Sequence, residues 1–263
     1  MAFNLASVST GTCLRAPRII LLGVEKIGKS TFASEANNPI FIPIRGEEGI
    51  DAIPVSKFPV VRCYDDLVQC LSSLYLEAHN HNTVVIDSAS TLEPLVWEDV
   101  CRKEGNVDSI EKVGGGYGKG YLEALSRWRG ITEGLDALRE ARGMASIIIG
   151  HVKSKRFDDP CGPSYDTYQF DINDRAANLL YRWSDVILFC NTKVVVQSEK
   201  LGFNKEKHRG IDITGGSRFL YTQKRPAHPG GGRGVFGQLP HELPLSWANF
   251  MDAVQAVSQR GSA

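Results

Sequence analysis

The residues best suited to do chemistry form one contiguous run, Gly23-Val24-Glu25-Lys26-Ile27-Gly28-Lys29-Ser30-Thr31, which fits the pattern G-x-x-x-x-G-K-[ST]. Such a run can cradle a polyphosphate. Glycines at 23 and 28 allow backbone angles that other residues resist, so successive N–H groups converge on phosphate oxygens at the positive end of the following helix. All nine residues, Gly23 to Thr31, are therefore candidates to bind ATP. Lys29 is expected to project from the loop, rather than fill the core, and to reach the β- and γ-phosphates. Ser30 is expected to ligate Mg2+, and Thr31 to have a lesser phosphate role.

Three further positions complete that chemistry. Thr83-Val84-Val85-Ile86-Asp87 is a β-branched run ending in an acid. Acids follow many strands as ordinary turn residues, but beside a phosphate loop Asp87 is placed to hold Mg2+ through water. Glu47 and Glu48 follow a second apolar run, residues 40–44. A carboxylate there can polarise the attacking water, and Glu47 is preferred; the alternative is a solvated turn. His151 closes the run Ile147-Ile148-Ile149-Gly150-His151, either as a sensor of the γ-phosphate or as a strand-end histidine with a satisfied ring. The catalytic candidates are thus Lys29, Glu47 and His151, and the metal candidates Ser30 and Asp87.

Those residues need elements to hold them. Short apolar runs at 18–22, 40–44, 83–87, 146–151 and 185–190 read as strands; most lack alternation, as strands do when helices cover both faces of a parallel sheet. Helical spacing runs through 31–37, through Leu67, Cys70, Leu71, Leu74 and Tyr75, and through Leu92, Leu95, Val96 and Val100. It recurs from Leu122 to Leu138, ending near Gly143, and from Trp247 to Val257. Strands alternating with helices predict an α/β sandwich. Segments 105–120 and 153–171 break the rhythm and are expected to be long irregular loops, which in a compact domain are functional or disordered. Segment 227–237, with five glycines, is expected to be mobile. Residues 1–16 read as a flexible N-terminal arm and residues 17–263 as a single domain.

Bulk properties narrow the partners. The chain has 263 residues, enough for one large α/β domain. Lys+Arg and Asp+Glu are both 30, so a generally basic nucleic-acid surface is excluded and any DNA contact must be a local patch. The six cysteines show no Cys-x-x-Cys spacing and read as small buried hydrophobes in a reducing cytosol. The longest apolar runs are far short of a membrane span. A soluble, cytoplasmic protein is expected.

The order of strand, phosphate loop, strand, Glu, strand, Asp, irregular loop, strand and His resembles the RecA-like ATPase core. A closer resemblance, to phage-encoded Sak-type single-strand annealing and recombination ATPases, rests on several stretches. They are the phosphate loop, Glu47-Glu48-Gly49, Val84-Val85-Ile86-Asp87-Ser88, Gly116-Tyr117-Gly118-Lys119-Gly120-Tyr121 and Gly150-His151, with residues 176–185, Gly216-Ser217-Arg218 and Lys224-Arg225-Pro226. The resemblance implies an α/β fold of RecA-like P-loop NTPase type, with a mostly parallel central sheet and helices on both faces. It implies an Mg2+-dependent ATPase acting on single-stranded DNA in recombination, annealing or replication, within a bacterial host or phage-infected cell.

The family's two DNA loops would be segments 105–120 and 153–171, with Lys112, Lys119, Lys153, Lys155 and Arg156 as charge and Tyr117, Tyr121, Phe157, Tyr165 and Tyr168 as stacking faces. A homo-oligomeric ring or filament is implied, with ATP between protomers and a trans-acting cation among Arg218, Lys224, Arg225 and Arg233. A single-strand-binding or replication protein is an implied partner. Two departures stand out: Lys26 occupies a position where many relatives carry glycine, and Gly231-Gly232-Arg233-Gly234 stands where they tend to carry Ala-Lys-x-Arg. Two other functions fit a phosphate loop. One is a small-molecule kinase, which needs an arginine-bearing lid; the other is a nucleotide-dependent switch or loader with little hydrolysis.

Overall fold

The computed structural model describes residues 8, 15–47, 49–200, 206–212 and 214–260, with the backbone alone for 194–200 and 206–212. Glu48, Cys13 and most of the expected N-terminal arm lie outside the described residues.

The apolar runs form the parallel centre of one sheet. Its strands are β1 (Arg18–Gly23), β2 (Pro39–Pro43), β3 (Ser56–Lys57), β4 (Thr83–Asp87), β5 (Ala145–Gly150) and β8 (Val186–Thr192), ordered β8-β1-β5-β4-β2-β3. Beyond β8 the sheet turns antiparallel, through β11 (Arg218–Tyr221), β13 (Glu242–Pro244) and the short β12 (Gly231–Gly232).

Successive residues of β1 point to opposite faces. Ile20 and Leu22 join one buried cluster with Leu67, Leu92, Trp128 and Leu180. These come from α2 (Tyr64–Leu76), α3 (Ala89–Lys103), α4 (Lys119–Arg142) and α5 (Asp174–Trp183). Ile19 and Leu21 join a second cluster with Phe32, Phe250 and Val254, from α1 (Lys29–Ser34) and α6 (Trp247–Arg260). Helices therefore cover both faces, and this is why the central strands are apolar throughout rather than alternating.

Register brings the chemistry to one edge. Gly23 pairs with Cys190, Leu22 with Gly150, and Pro43 with Asp87. The carboxyl ends of β1, β5, β4 and β2 open on the same side, where α/β sheets place their ligand crevices.

Several expectations need correction. Segment 153–171 is not an irregular loop. Val152–Phe157 (β6) and Tyr165–Phe170 (β7) pair as an antiparallel hairpin outside the main sheet. Residues 153–157 are exposed, so no apolar period marks the first strand. β9 (Val194–Lys200) pairs antiparallel with β10 (Glu206–Asp212), a pair the sequence does not announce. Nor does it announce α5, β11, β12 and β13. Within 105–120, a 3-10 segment spans Ile110–Gly115, and Lys119 begins α4.

Segment 227–237 is built into the sheet edge through β12 and the buried Phe236, instead of standing free. A Cβ on Gly232 would lie 2.5 Å from that of Phe236, so close packing explains this glycine. Cys70 and Cys190 are buried as expected, whereas Cys63 and Cys161 are exposed.

Candidate nucleotide site

The loop leaves β1 at Gly23. This glycine is not in the left-handed region, contrary to the reading that it supplies unusual angles. A Cβ there would lie 2.6 Å from the Cys190 carbonyl, so the close approach of β8 demands glycine. Gly28 does carry the unusual conformation, at φ 104°, as the residue preceding α1. Lys26 also has positive φ, 56°, without being glycine.

Lys29 is buried at 6% exposure and does not project outward. Its Nζ donates to the carbonyls of Gly23 at 3.0 Å and Val24 at 2.9 Å. Burial pushes its ammonium below the ordinary lysine range, opposed by Cys190, Asp87 and Glu47.

Opposite the loop, Ser30 Oγ donates to Asp87 Oδ2 at 2.7 Å. Asp87 is 4% exposed, and burial raises its pKa above the ordinary carboxylate value against that bond. A buried carboxylate touching a hydroxyl at the mouth of a phosphate loop is a hard oxygen donor pair, the chemistry that suits Mg2+. The residues present therefore fit the ion.

Glu47 projects into the same cleft. Its Oε1 accepts from Ser88 Oγ at 2.7 Å and from His151 Nε2 at 2.7 Å. Burial alone would raise the Glu47 pKa, but the bonds from His151 and Ser88 carry it below the ordinary value, which keeps the carboxylate ionised. The His151 backbone N–H donates to Ser90 Oγ at 3.0 Å, and its Nδ1 is buried without a hydrogen-bond partner among the described residues. The cleft, of about 740 Å3, is lined by residues of the phosphate loop together with Glu47, Asp87, Ser90, Thr91, His151 and Arg218.

The structure thus brings Lys29, Ser30, Asp87, Glu47 and His151 together. Two neighbours escape sequence reasoning. The sequence marks Ser88 only as the end of a strand run. It groups Arg218 with cations for a neighbouring protomer, yet the Arg218 Nη1 donates to the Ile27 carbonyl of its own loop at 3.2 Å.

The other proposed cations lie elsewhere. Lys224 and Arg225 line a separate cleft of about 360 Å3 beside the β6–β7 hairpin. Arg233 bonds through its guanidinium to the Arg182 carbonyl, and its backbone N–H donates to the Asp185 carbonyl at 2.9 Å, at the amino end of β8. The expected DNA cations are mostly neutralised locally. Lys112 pairs with Asp108 at 2.8 Å, Lys153 with Asp171 at 3.1 Å, Lys155 with Asp174 at 3.0 Å and Arg156 with Asp158 at 3.4 Å. Lys119 Nζ donates to the Gly114 carbonyl at 2.9 Å. Among the proposed stacking faces, Tyr117 is fully exposed and Phe157 meets Tyr165 at the hairpin tip. Tyr121 packs on Trp97, and Tyr168 on Phe189.

Among the described residues, no helix is long and apolar enough to cross a membrane. Residues 15–234 match a family described as AAA domain. No curated protein sequence matches the chain. Among solved structures, the chain is similar to one described as the crystal structure of the RadB recombinase. The TM-score is 0.41 at 14% identity, covering 82% of this chain and 85% of that one.

Proposed function

The chain belongs to this AAA domain family, and on that premise we propose that it is an Mg2+-dependent ATPase whose turnover is coupled to single-stranded DNA. The observation that carries the nucleotide part is the pairing of Ser30 with Asp87 at 2.7 Å, with Glu47 in the same cleft as the phosphate loop. The reaction is ATP + H2O → ADP + phosphate. Loop amides bind the β- and γ-phosphates, and the Lys29 ammonium, on leaving the Gly23 and Val24 carbonyls that it bonds in this structure, stabilises charge that develops on them. Ser30 and Asp87 would hold Mg2+, which would supply neutralisation of phosphate charge. Glu47, kept ionised, orients a water and accepts its proton. Arg218 stands beside the loop as a cation supplied in cis.

The DNA part rests on the resemblance in sequence and on the hairpin's attachment to the site. β6 begins directly after His151, and the Asp171 N–H, just after β7 at the base of the hairpin, donates to the His151 carbonyl at 3.0 Å. The reading is a recombination, annealing or replication role of phage type, in a homo-oligomeric ring or filament, with Lys224, Arg225 and Arg233 as rivals for contact with a neighbour's site. A single-strand-binding or replication protein is the corresponding protein partner. One observation favours a second reading, a nucleotide-driven switch without a DNA ligand: four of the five proposed DNA cations are already paired with acids.

ATP turnover measured with and without single-stranded DNA tests both. The expected result is hydrolysis that DNA accelerates, and a Glu47→Gln variant that keeps nucleotide affinity but loses turnover. Tight ATP binding with negligible hydrolysis in either condition would move the switch ahead. Hydrolysis indifferent to DNA would remove the DNA part alone.

A further inference from the structure

Glu47 has two carboxylate oxygens, and the structure treats them differently. Both hydrogen bonds it receives, from Ser88 Oγ and His151 Nε2, end on Oε1. The described residues offer Oε2 no hydrogen bond. We infer that Ser88 is a positioning residue for hydrolysis: with His151 it pins one oxygen of Glu47 and leaves the other aimed into the cleft for water. This rests on the reading of Glu47 as the water-orienting base.

Proton accounting assigns the Ser88 hydroxyl. Serine has one proton to donate and two lone pairs. Ser88 Oγ accepts from the Thr91 N–H at 3.4 Å, as the cap of α3. Thr91 Oγ1 lies 3.1 Å from the Ser88 carbonyl and 3.2 Å from Ser88 Oγ, so its one proton has both oxygens as acceptors. An ionised carboxylate only accepts, so at the shorter distance of 2.7 Å the Ser88 proton goes to Glu47 rather than to Thr91. A hydroxyl donating to an ionised carboxylate makes a strong, directional bond. Ser88 is fully buried, so water does not compete for it.

The placement follows from the fold. Ser88 directly follows Asp87 at the end of β4, and Glu47 leaves the neighbouring β2, where Pro43 stands opposite Asp87. The residue after the proposed metal ligand therefore faces the proposed base across one strand gap. With Ser88 removed, His151 alone would hold Oε1, and the carboxylate could turn about its last torsion.

The plain alternative is that Ser88 only caps α3. Steady-state turnover and affinity for a fluorescent ATP analogue separate the two, in wild type, Ser88→Ala, Ser88→Thr, Glu47→Gln and the double variant Glu47→Gln/Ser88→Ala. The expected result is a fall in kcat on the order of tenfold to a hundredfold in Ser88→Ala, since small misplacements of a reacting group cost that much. Nucleotide affinity should stay unchanged. Ser88→Thr, which keeps the hydroxyl, should recover most turnover. Ser88→Ala should add no further loss in the Glu47→Gln background. Thermal unfolding monitors the cap; if Ser88→Ala does not fold, Ser88→Cys keeps the shape with a far weaker donor and should show the same loss. Wild-type turnover in a folded Ser88→Ala or Ser88→Cys, or losses that multiply with Glu47→Gln, would overturn the inference. Wild-type turnover in Glu47→Gln would instead overturn the reading of Glu47, and the inference with it.

Discussion

At the scale of single residues, Lys26 shows how a local conformation and a side chain can disagree. Its φ of 56° lies in the left-handed region, where a Cβ costs roughly 1–2 kcal/mol. The side chain is exposed and, among the described residues, makes no hydrogen bond or ion pair that would offset the cost. Glycine at this point would remove the strain at a small cost in unfolded-chain entropy. Lys26→Gly should therefore raise the stability of the protein by about 1 kcal/mol. Chemical denaturation at equilibrium checks this; an unchanged or lowered midpoint would show that the loop tolerates Lys26 without strain. Gly23 teaches the converse lesson, since there the demand comes from Cys190 on another strand rather than from the residue's own angles.

At the scale of elements, α3 ties the site to α5, the helix beyond the β6–β7 hairpin. The first residue of α3 succeeds Ser88, and one turn later Glu93 accepts the Asn173 N–H at 2.9 Å on both oxygens, at the start of α5. Burial pushes the Glu93 pKa up to about 7, with the Asn173 bond and Lys153 opposing it. Below the unfolded value near 4.5, Glu93 is protonated in both states and contributes no pH dependence. As pH rises from there towards 7, the unfolded chain has released a proton that the folded chain still binds, so stability falls. Across that window the loss is on the order of 3 kcal/mol. Glu93→Gln should flatten the decline in Tm between about pH 5 and about pH 8. Equal slopes in the two proteins would show that Glu93 does not titrate in this window. Asp99, held to about 2 despite burial by bonds from Arg127, Arg102 and Lys103, has the opposite sign: its contribution is present above the ordinary aspartate range and is lost only in acid.

At the scale of the whole molecule, charge decides what DNA binding can be. Net charge is zero, so the proposed affinity for DNA depends on a local patch, proposed at the β6–β7 hairpin and the start of α4. Within that patch Lys153 and Lys155 are bound to Asp171 and Asp174, and each must leave its carboxylate to meet a phosphate. Binding should thus be weak at physiological salt and steeply salt-dependent, by about −0.7 in log–log slope for each phosphate contacted on a single strand. Changing Lys119, Lys153 and Lys155 together to Ala should weaken single-stranded DNA binding and flatten that slope. ATP affinity should survive, since none of the three lines the nucleotide cleft. A triple variant that binds single strands as wild type does across a salt series would remove these segments as the DNA site.

What is contiguous or periodic could be read from the residues in order. The phosphate loop is one run of residues, and the apolar runs at 18–22, 83–87 and 146–151 were legible as buried parallel strands because helices cover both sheet faces. The helical faces of α2, α3, α4 and α6 repeat at helical spacing for the same reason. The β6–β7 hairpin stayed invisible because it packs outside the main sheet, so its first strand has no apolar face to betray it. Which distant residues meet emerges only in the folded chain. Ser88 and His151, 41 and 104 residues away from Glu47, converge on one of its oxygens. Arg218 reaches Ile27 across 191 residues and so stands over its own loop. Such meetings follow from strand order and register, which depend on how the whole sheet packs and leave no mark on the local run of either partner.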